Sequence, residues 1–184
     1  IQSTVDGAAV MGALPSHARY HVLQKIAGGL YDRREEFARL MTAEAGKPIT
    51  DAKREVNRAV QTFTVAAEES KRIPGEVIPL DWTPGTDSHL GILRRVPIGP
   101  VLGITPFNFP LNLVAHKVAP ALAAGNSILI KPAPQTPLTA LLLGEVVLEA
   151  GLPPGALNIL PCDNRMAEQL VVDPRFKLLS FTGS

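Results

Sequence analysis

The chain is short of cysteine, of surplus charge and of long apolar runs, and each scarcity removes a class of function. A single cysteine, Cys162, excludes an intramolecular disulfide and any cysteine-rich zinc site. A reducing compartment, the cytoplasm, is its natural setting. Eighteen basic residues against 17 acidic ones leave a net charge of +1, which supplies no electrostatic footprint for nucleic acid or an acidic membrane surface. No apolar stretch approaches the ~20 residues a membrane span needs. The predicted partners therefore include neither nucleic acid nor membrane. The start, Ile1-Gln-Ser-Thr-Val-Asp6, lacks the charged-then-apolar order of a secretory signal. Beginning at isoleucine, it reads as an interior point of a longer polypeptide. Also missing are a Gly-x-Gly-x-x-Gly fingerprint, a Walker-type phosphate loop and a His-Glu-x-x-His metal motif.

What is present suits an ordinary soluble domain. The 184 residues, 46% hydrophobic and 19% charged, are enough for one sizeable core or parts of two. Apolar residues at helical spacing predict a helix starting at Pro15-Ser16 with Tyr20, Leu23, Ile26, Ala27 and Leu30 on its inner side. A second helix is predicted over Glu35–Glu44, closed by Gly46, and a third from Thr50 or Asp51 towards Lys71. The mixed-sign runs Asp32-Arg-Arg-Glu-Glu36 and Asp51-Ala-Lys-Arg-Glu55 read as solvated helix faces. From Pro74 to Ile98, prolines and glycines punctuate short extended pieces, chiefly Glu76–Ile78 and His89–Val96. Arg94 and Arg95 make the latter an edge strand or an arm rather than a central strand.

Beyond Gly99 strand and helix alternate. Strands are predicted at Val101–Thr105, Ser127–Lys131, Leu157–Leu160 and Leu178–Thr182. Between them fall helices at Leu111–Ala124, from a Thr136-Pro137 cap through Ala150, and at Met166–Val172. Pro120 should kink or split the first of these, and the second, poor in polar surface, should be deeply packed. Near-continuous apolar strands separated by helices imply an α/β fold, a Rossmann-like parallel sheet with helices on both faces.

Candidate functional residues gather where strands end, since ligands of such sheets bind outside the carboxyl edge. Asn108 stands at a strand-to-helix turn between Pro106 and Pro110. On spacing alone a helix cap is the favoured role for it, with donation to a developing oxyanion as the sharper one. Lys131, stiffened by Pro132, Pro134 and Pro137, could hold its ammonium over the sheet edge for hydroxyls or phosphates. Phe181-Thr-Gly-Ser184 offers close backbone approach and a hydroxyl to a phosphate. Cys162 reads as an inert buried thiol, and His116 as hydrogen-bonded packing. No role falls to His17, His21 or His89.

Together, Pro106-Phe-Asn-Phe-Pro110, Lys131-Pro-Ala-Pro-Gln-Thr-Pro137, Gly151-Leu-Pro-Pro-Gly-Ala-Leu-Asn158 and Phe181-Thr-Gly-Ser184 resemble the NAD(P)-dependent aldehyde dehydrogenase superfamily. Glu44-Ala-Gly-Lys-Pro48 resembles that family's helical entry, and the likeness runs over nearly the whole chain in order. It implies oxidation of an aldehyde to a carboxylic acid through a cysteine thiohemiacetal and thioester, with NAD or NADP as cofactor. By position, Asn108 would donate to the oxyanion, and Lys131 would bind the adenosine ribose or a 2′-phosphate. Ile104, Thr105, Pro106 and Phe107 would line the cofactor cleft, with Phe181, Gly183 and Ser184 near the pyrophosphate and nicotinamide. Pro134 stands where many NAD-preferring members have a ribose-binding glutamate, which favours NADP. In the loop Cys162-Asp-Asn-Arg165, Asn164 could take a left-handed conformation. No metal ligand is implied.

The likeness divides the chain into a helical part of the cofactor domain (1–74), an extended oligomerisation arm (75–98) and the first half of the Rossmann-like domain (99–184). It implies a homodimer or homotetramer. The family's nucleophilic cysteine and general-base glutamate fall after the motif that closes at Ser184, and Cys162 does not match the nucleophile. This segment alone is therefore expected to be inactive. An acyl-phosphate or acyl-CoA reductase of the same fold, and a non-catalytic nucleotide-binding module, stay open.

Overall fold

Apolar spacing and the turn residues divide the chain much as the sequence predicts, and a computed structural model describes residues 1–183. Four helices come first: α1 Gln2–Ala13, α2 Ser16–Asp32, α3 Arg34–Ala45 and α4 Ile49–Ser70. Two short strands, β1 Glu76–Pro79 and β2 Leu90–Leu93, form an antiparallel hairpin. The alternating half follows as β3 Val101–Ile104, α5 Asn112–Ala123, β4 Ile128–Lys131, α6 Leu138–Glu149, β5 Leu157–Ile159, α7 Asn164–Val171 and β6 Leu178–Phe181. Gly46 ends α3 in the left-handed conformation, φ 66°, which is why a glycine closes that helix.

The sheet order is β5-β4-β3-β6, all parallel. The chain leaves β3 in one direction for β4 and β5, then returns across β3 to β6. That reversal opens a crevice at the carboxyl ends of β3 and β6, the usual ligand position in such a sheet. One core cluster gathers Leu23, Phe37, Phe63, Val114, Ile128 and Leu143, so the entry helices and the sheet share a single interior. The opposite face carries a thin cluster of Leu102, Leu129 and Leu170. Helices cover both faces, unequally. Among the described residues no helix is long and apolar enough to cross a membrane.

Several expectations need correction. Helix α1, absent from the sequence reading, docks on the sheet through backbone contact. A Cβ on Gly7 would collide with the carbonyl of Gly155, and Ser127 Oγ donates to Thr4 O at 2.6 Å. Pro120 does not split α5, because it sits on the exposed side near the helix end, where water can reach the carbonyl it leaves unpaired. His116 is exposed rather than packed, and no described hydrogen bond holds its ring. Helix α6 buries only its inner side; Leu138, Leu141 and Leu148 face outward. Asn164 is not left-handed: it opens α7, two residues before the predicted start. The run ending at Glu55 is not wholly solvated, since Glu55 is 1% exposed.

Candidate active site and cofactor cleft

Strand register builds the first half of the site. Ile104 pairs with Lys131 on one side and with Phe181 on the other, so three predicted residues stand in a row across the carboxyl edge. The row and the loops above it border an open cleft of about 520 Å³. Ile104, Thr105, Pro106, Phe107, Lys131, Pro134, Phe181 and Gly183 all line it. Ser184 lies outside the described residues. Lys131 is nearly buried and donates to Asn164 Oδ1 at 3.1 Å, which fixes the ammonium while leaving donors to spare. Thr105 Oγ1, also in this cavity, is buried with no partner among the described residues. Such an orphaned hydroxyl costs energy unless something polar meets it.

Beneath the row, a buried Lys117 on α5 donates to Ser180 Oγ at 3.2 Å and Thr182 Oγ1 at 2.8 Å, clamping the end of β6. Burial lowers its pKa. Gly103 makes the room, since a Cβ there would run into Ile130 and crowd Lys117. Cys162 packs against the thin apolar cluster, and burial pushes its thiol up, with Asp163 adding to the shift and Lys131 opposing it. A raised thiol is a poor nucleophile.

Asn108 stands on the other side of the turn. It lines a second cavity, about 480 Å³, with Phe107 as the residue common to both. It does not cap α5, as spacing alone suggested. The cap is Glu55 of α4, whose Oε1 accepts from Leu111 N and Asn112 N, each at 2.9 Å. The other oxygen of Glu55 pairs with Lys47, and Lys47 donates onward to the Asn108 carbonyl at 2.9 Å. The backbone of Asn108 is thus held while its exposed side-chain amide makes no described hydrogen bond. Lys47 Nζ also stands 4.1 Å from the ring centre of Phe109.

Helix α6 repeats the device. Pro137 takes the N-cap position, as predicted, but no side chain there caps the helix; instead Glu44 of α3 accepts from Leu138 N, from Thr139 N at 3.1 Å and from Thr139 Oγ1 at 2.6 Å. Nothing local to Glu44-Ala-Gly-Lys-Pro48 marks Glu44 or Lys47 for these tasks, and helical spacing alone puts Glu55 on a wet face. The available signal was the spacing Glu44, Lys47, Glu55, which joins a helix end to the next helix's first turns.

A parallel sheet with a cleft at its reversal point, a buried lysine at the strand end and a held asparagine turn define a doubly wound α/β fold of the Rossmann-like class. The family model "Aldehyde dehydrogenase family" matches residues 1–184, and the chain belongs to that family. It is 45% identical over 177 residues to 3-sulfolactaldehyde dehydrogenase of Priestia aryabhattai, covering 96% of this chain and 37% of the relative. Aldehyde dehydrogenase 21 of Physcomitrella patens, solved with the reaction product succinate, superposes with TM-score 0.95 at 51% identity over 100% of this chain and 38% of that one. Glyceraldehyde-3-phosphate dehydrogenase of Methanocaldococcus jannaschii, solved with NADP, gives 0.93 at 39%, over 100% of this chain and 40% of that one. The chain thus spans less than half the length of these relatives.

Proposed function

We propose that the full-length protein oxidises an aldehyde to its carboxylic acid with NAD or NADP, and that Asn108 donates its amide to the oxyanion of the tetrahedral intermediate. What carries the reading is the turn itself. It presents an uncommitted, backbone-anchored amide beside a cavity that shares Phe107 with the cleft along β3 and β6. The bound cofactor would accept the hydride. The described residues fit it: Thr105 Oγ1 lacks a partner, and Lys131 has unspent donors for a ribose or phosphate. Pro134 puts no carboxylate against a 2′-phosphate, which supports NADP. Ile104, Pro106, Phe107, Phe181 and Gly183 supply the walls, and Ser184 is assigned to the phosphate side. Cys162 is not the nucleophile in this reading.

Several relatives are named for acidic substrates or products, whereas lactaldehyde dehydrogenase of Methanocaldococcus jannaschii, 41% identical over 180 residues, is named for a neutral aldehyde. 3-Sulfolactaldehyde, succinate and glyceraldehyde-3-phosphate each carry an acidic group besides the reacting carbon. We extend that class to this protein's aldehyde. The reading also divides the chain at 1–74, 75–98 and 99–184, with the middle part as a homo-oligomerisation arm and the cytoplasm as the compartment. The test is Asn108→Ala in the full-length protein. Losing one oxyanion donor costs ~100- to 1,000-fold in turnover, so turnover should collapse while NADP affinity, by fluorescence titration, stays near wild type. Unchanged turnover with hydride transfer or deacylation rate-limiting would remove Asn108 from the mechanism.

A further inference from the structure

One ion pair pins the Asn108 turn at both ends. Glu55 of α4 holds the far end, where its Oε1 accepts from Leu111 N and Asn112 N. Lys47, in the link between α3 and α4, holds the near end by donating to the Asn108 carbonyl at 2.9 Å. Lys47 pairs with the second oxygen of Glu55, so each anchor sets the position of the other. An ammonium has three N–H donors. Two are taken here, and the Phe109 ring faces the charge at 4.1 Å. Lys47 is thus engaged with the protein rather than held ready for a ligand.

The Asn108 side-chain amide is exposed and makes no hydrogen bond among the described residues. Its placement therefore follows its backbone, and Lys47 fixes that backbone. An oxyanion donor works over a window of a few tenths of an ångström. A misplacement of about 1 Å costs on the order of 100-fold in rate.

We propose that Lys47 is a positioning residue for the oxidation: by gripping the Asn108 carbonyl, it sets where the Asn108 amide meets the oxyanion. The inference rests on the proposed oxyanion role of Asn108. A lysine acting in this way changes the rate at saturating aldehyde and ignores the charge of the substrate. It matters only while Asn108 is there to be placed.

The experiment follows reduced-cofactor formation by the full-length protein in single turnovers over a range of aldehyde concentrations. The saturating rate and the half-saturation point then read apart. Lys47→Met should lower the saturating rate by about 10- to 100-fold, equally for succinic semialdehyde and butanal. Half-saturation and NADP affinity should stay near wild type. Lys47→Arg, which keeps a cation and its donors, should recover part of the loss. In the Asn108→Ala background, Lys47→Met should cost less than about twofold, because two residues that act through one contact are not additive. Lys47→Met also leaves Glu55 as a buried unpaired charge. The same cycle is therefore repeated with Glu55→Gln in every member, since glutamine keeps an acceptor for α5 and carries no charge. A saturating rate unchanged by Lys47→Met, or lowered as much without Asn108 as with it, overturns the role of Lys47 and leaves that of Asn108 standing. A rate unchanged by Asn108→Ala overturns both.

Discussion

Glu55 sits almost wholly out of water, yet its carboxylate meets three donors: the backbone N–H groups of Leu111 and Asn112 at the start of α5 and the Lys47 ammonium. The arrangement links two demands. Helix α5 begins without a capping side chain of its own, so its first N–H groups need an acceptor from elsewhere. The Asn108 turn needs an anchor, and the same carboxylate positions the lysine that supplies it. Replacing Glu55 by leucine orphans those donors, at about 1–3 kcal/mol for each one left buried. Glu55→Leu should therefore lower the midpoint of chemical unfolding clearly, and Glu55→Gln, which keeps one acceptor, should lower it less. An unchanged midpoint for Glu55→Leu would mean that water or a rearranged turn satisfies α5. None of this was legible in the sequence, because the acceptor lies 56 residues from its donor. Ile104, Lys131 and Phe181 were legible, because each sits where an apolar run meets a turn, and strand ends are marked locally.

At the scale of elements, long amphipathic helices announce themselves and short docked ones do not. Helix α4, with Val56, Val60, Phe63 and Ala67 at helical spacing, was predicted within about two residues at each end. Helix α1 has two glycines and little apolar bulk, so its pattern carries no helical signal. It is held by what lies opposite: the glycine pair at 7 and 155 lets backbones touch, and Asn158 Nδ2 donates to Thr4 Oγ1 at 3.0 Å. Packing decides such an element, not propensity. The hairpin raises the converse problem. Its pattern was legible, but among the described residues β1 and β2 pack substantially only on each other. Val77, Leu90 and Ile92 are 64%, 67% and 74% exposed. An isolated two-stranded hairpin is marginal in water, and an apolar surface of this kind marks a contact. With the arm proposed as the oligomer contact, Ile92→Lys should shift the full-length protein towards smaller species by light scattering, leaving its circular dichroism intact. A wild-type monomer, or a variant that assembles normally, would take the arm out of assembly.

Across the whole molecule, the boundary that composition draws near Pro74 is not a boundary in the core. Phe37 and Phe63 from the entry helices and Val114, Ile128 and Leu143 from the sheet half belong to one buried cluster. Glu44 and Glu55 add polar ties across the same seam, each accepting from a helix start on the sheet side. Sequence patterning tells which residues seek burial but not with whom. A helical block followed by an alternating block looked the same whether the two packed together or apart. The shared cluster makes a definite claim about energetics. Elements in one core lose protection together, whereas a hairpin with little buried surface opens by itself. In hydrogen exchange under rising denaturant, the amides of α2, α4, α5 and β4 should become unprotected over one common range. Those of β1 and β2 should exchange earlier wherever no second copy covers them. If α2 and α4 lost protection well before β3 and β4, the entry helices would be a separate cooperative unit, and Glu44 and Glu55 would be surface ties between two bodies. The near-total burial of Glu55 between α4 and the start of α5 argues for the single unit, because separating the halves would strip that carboxylate of every described partner except Lys47.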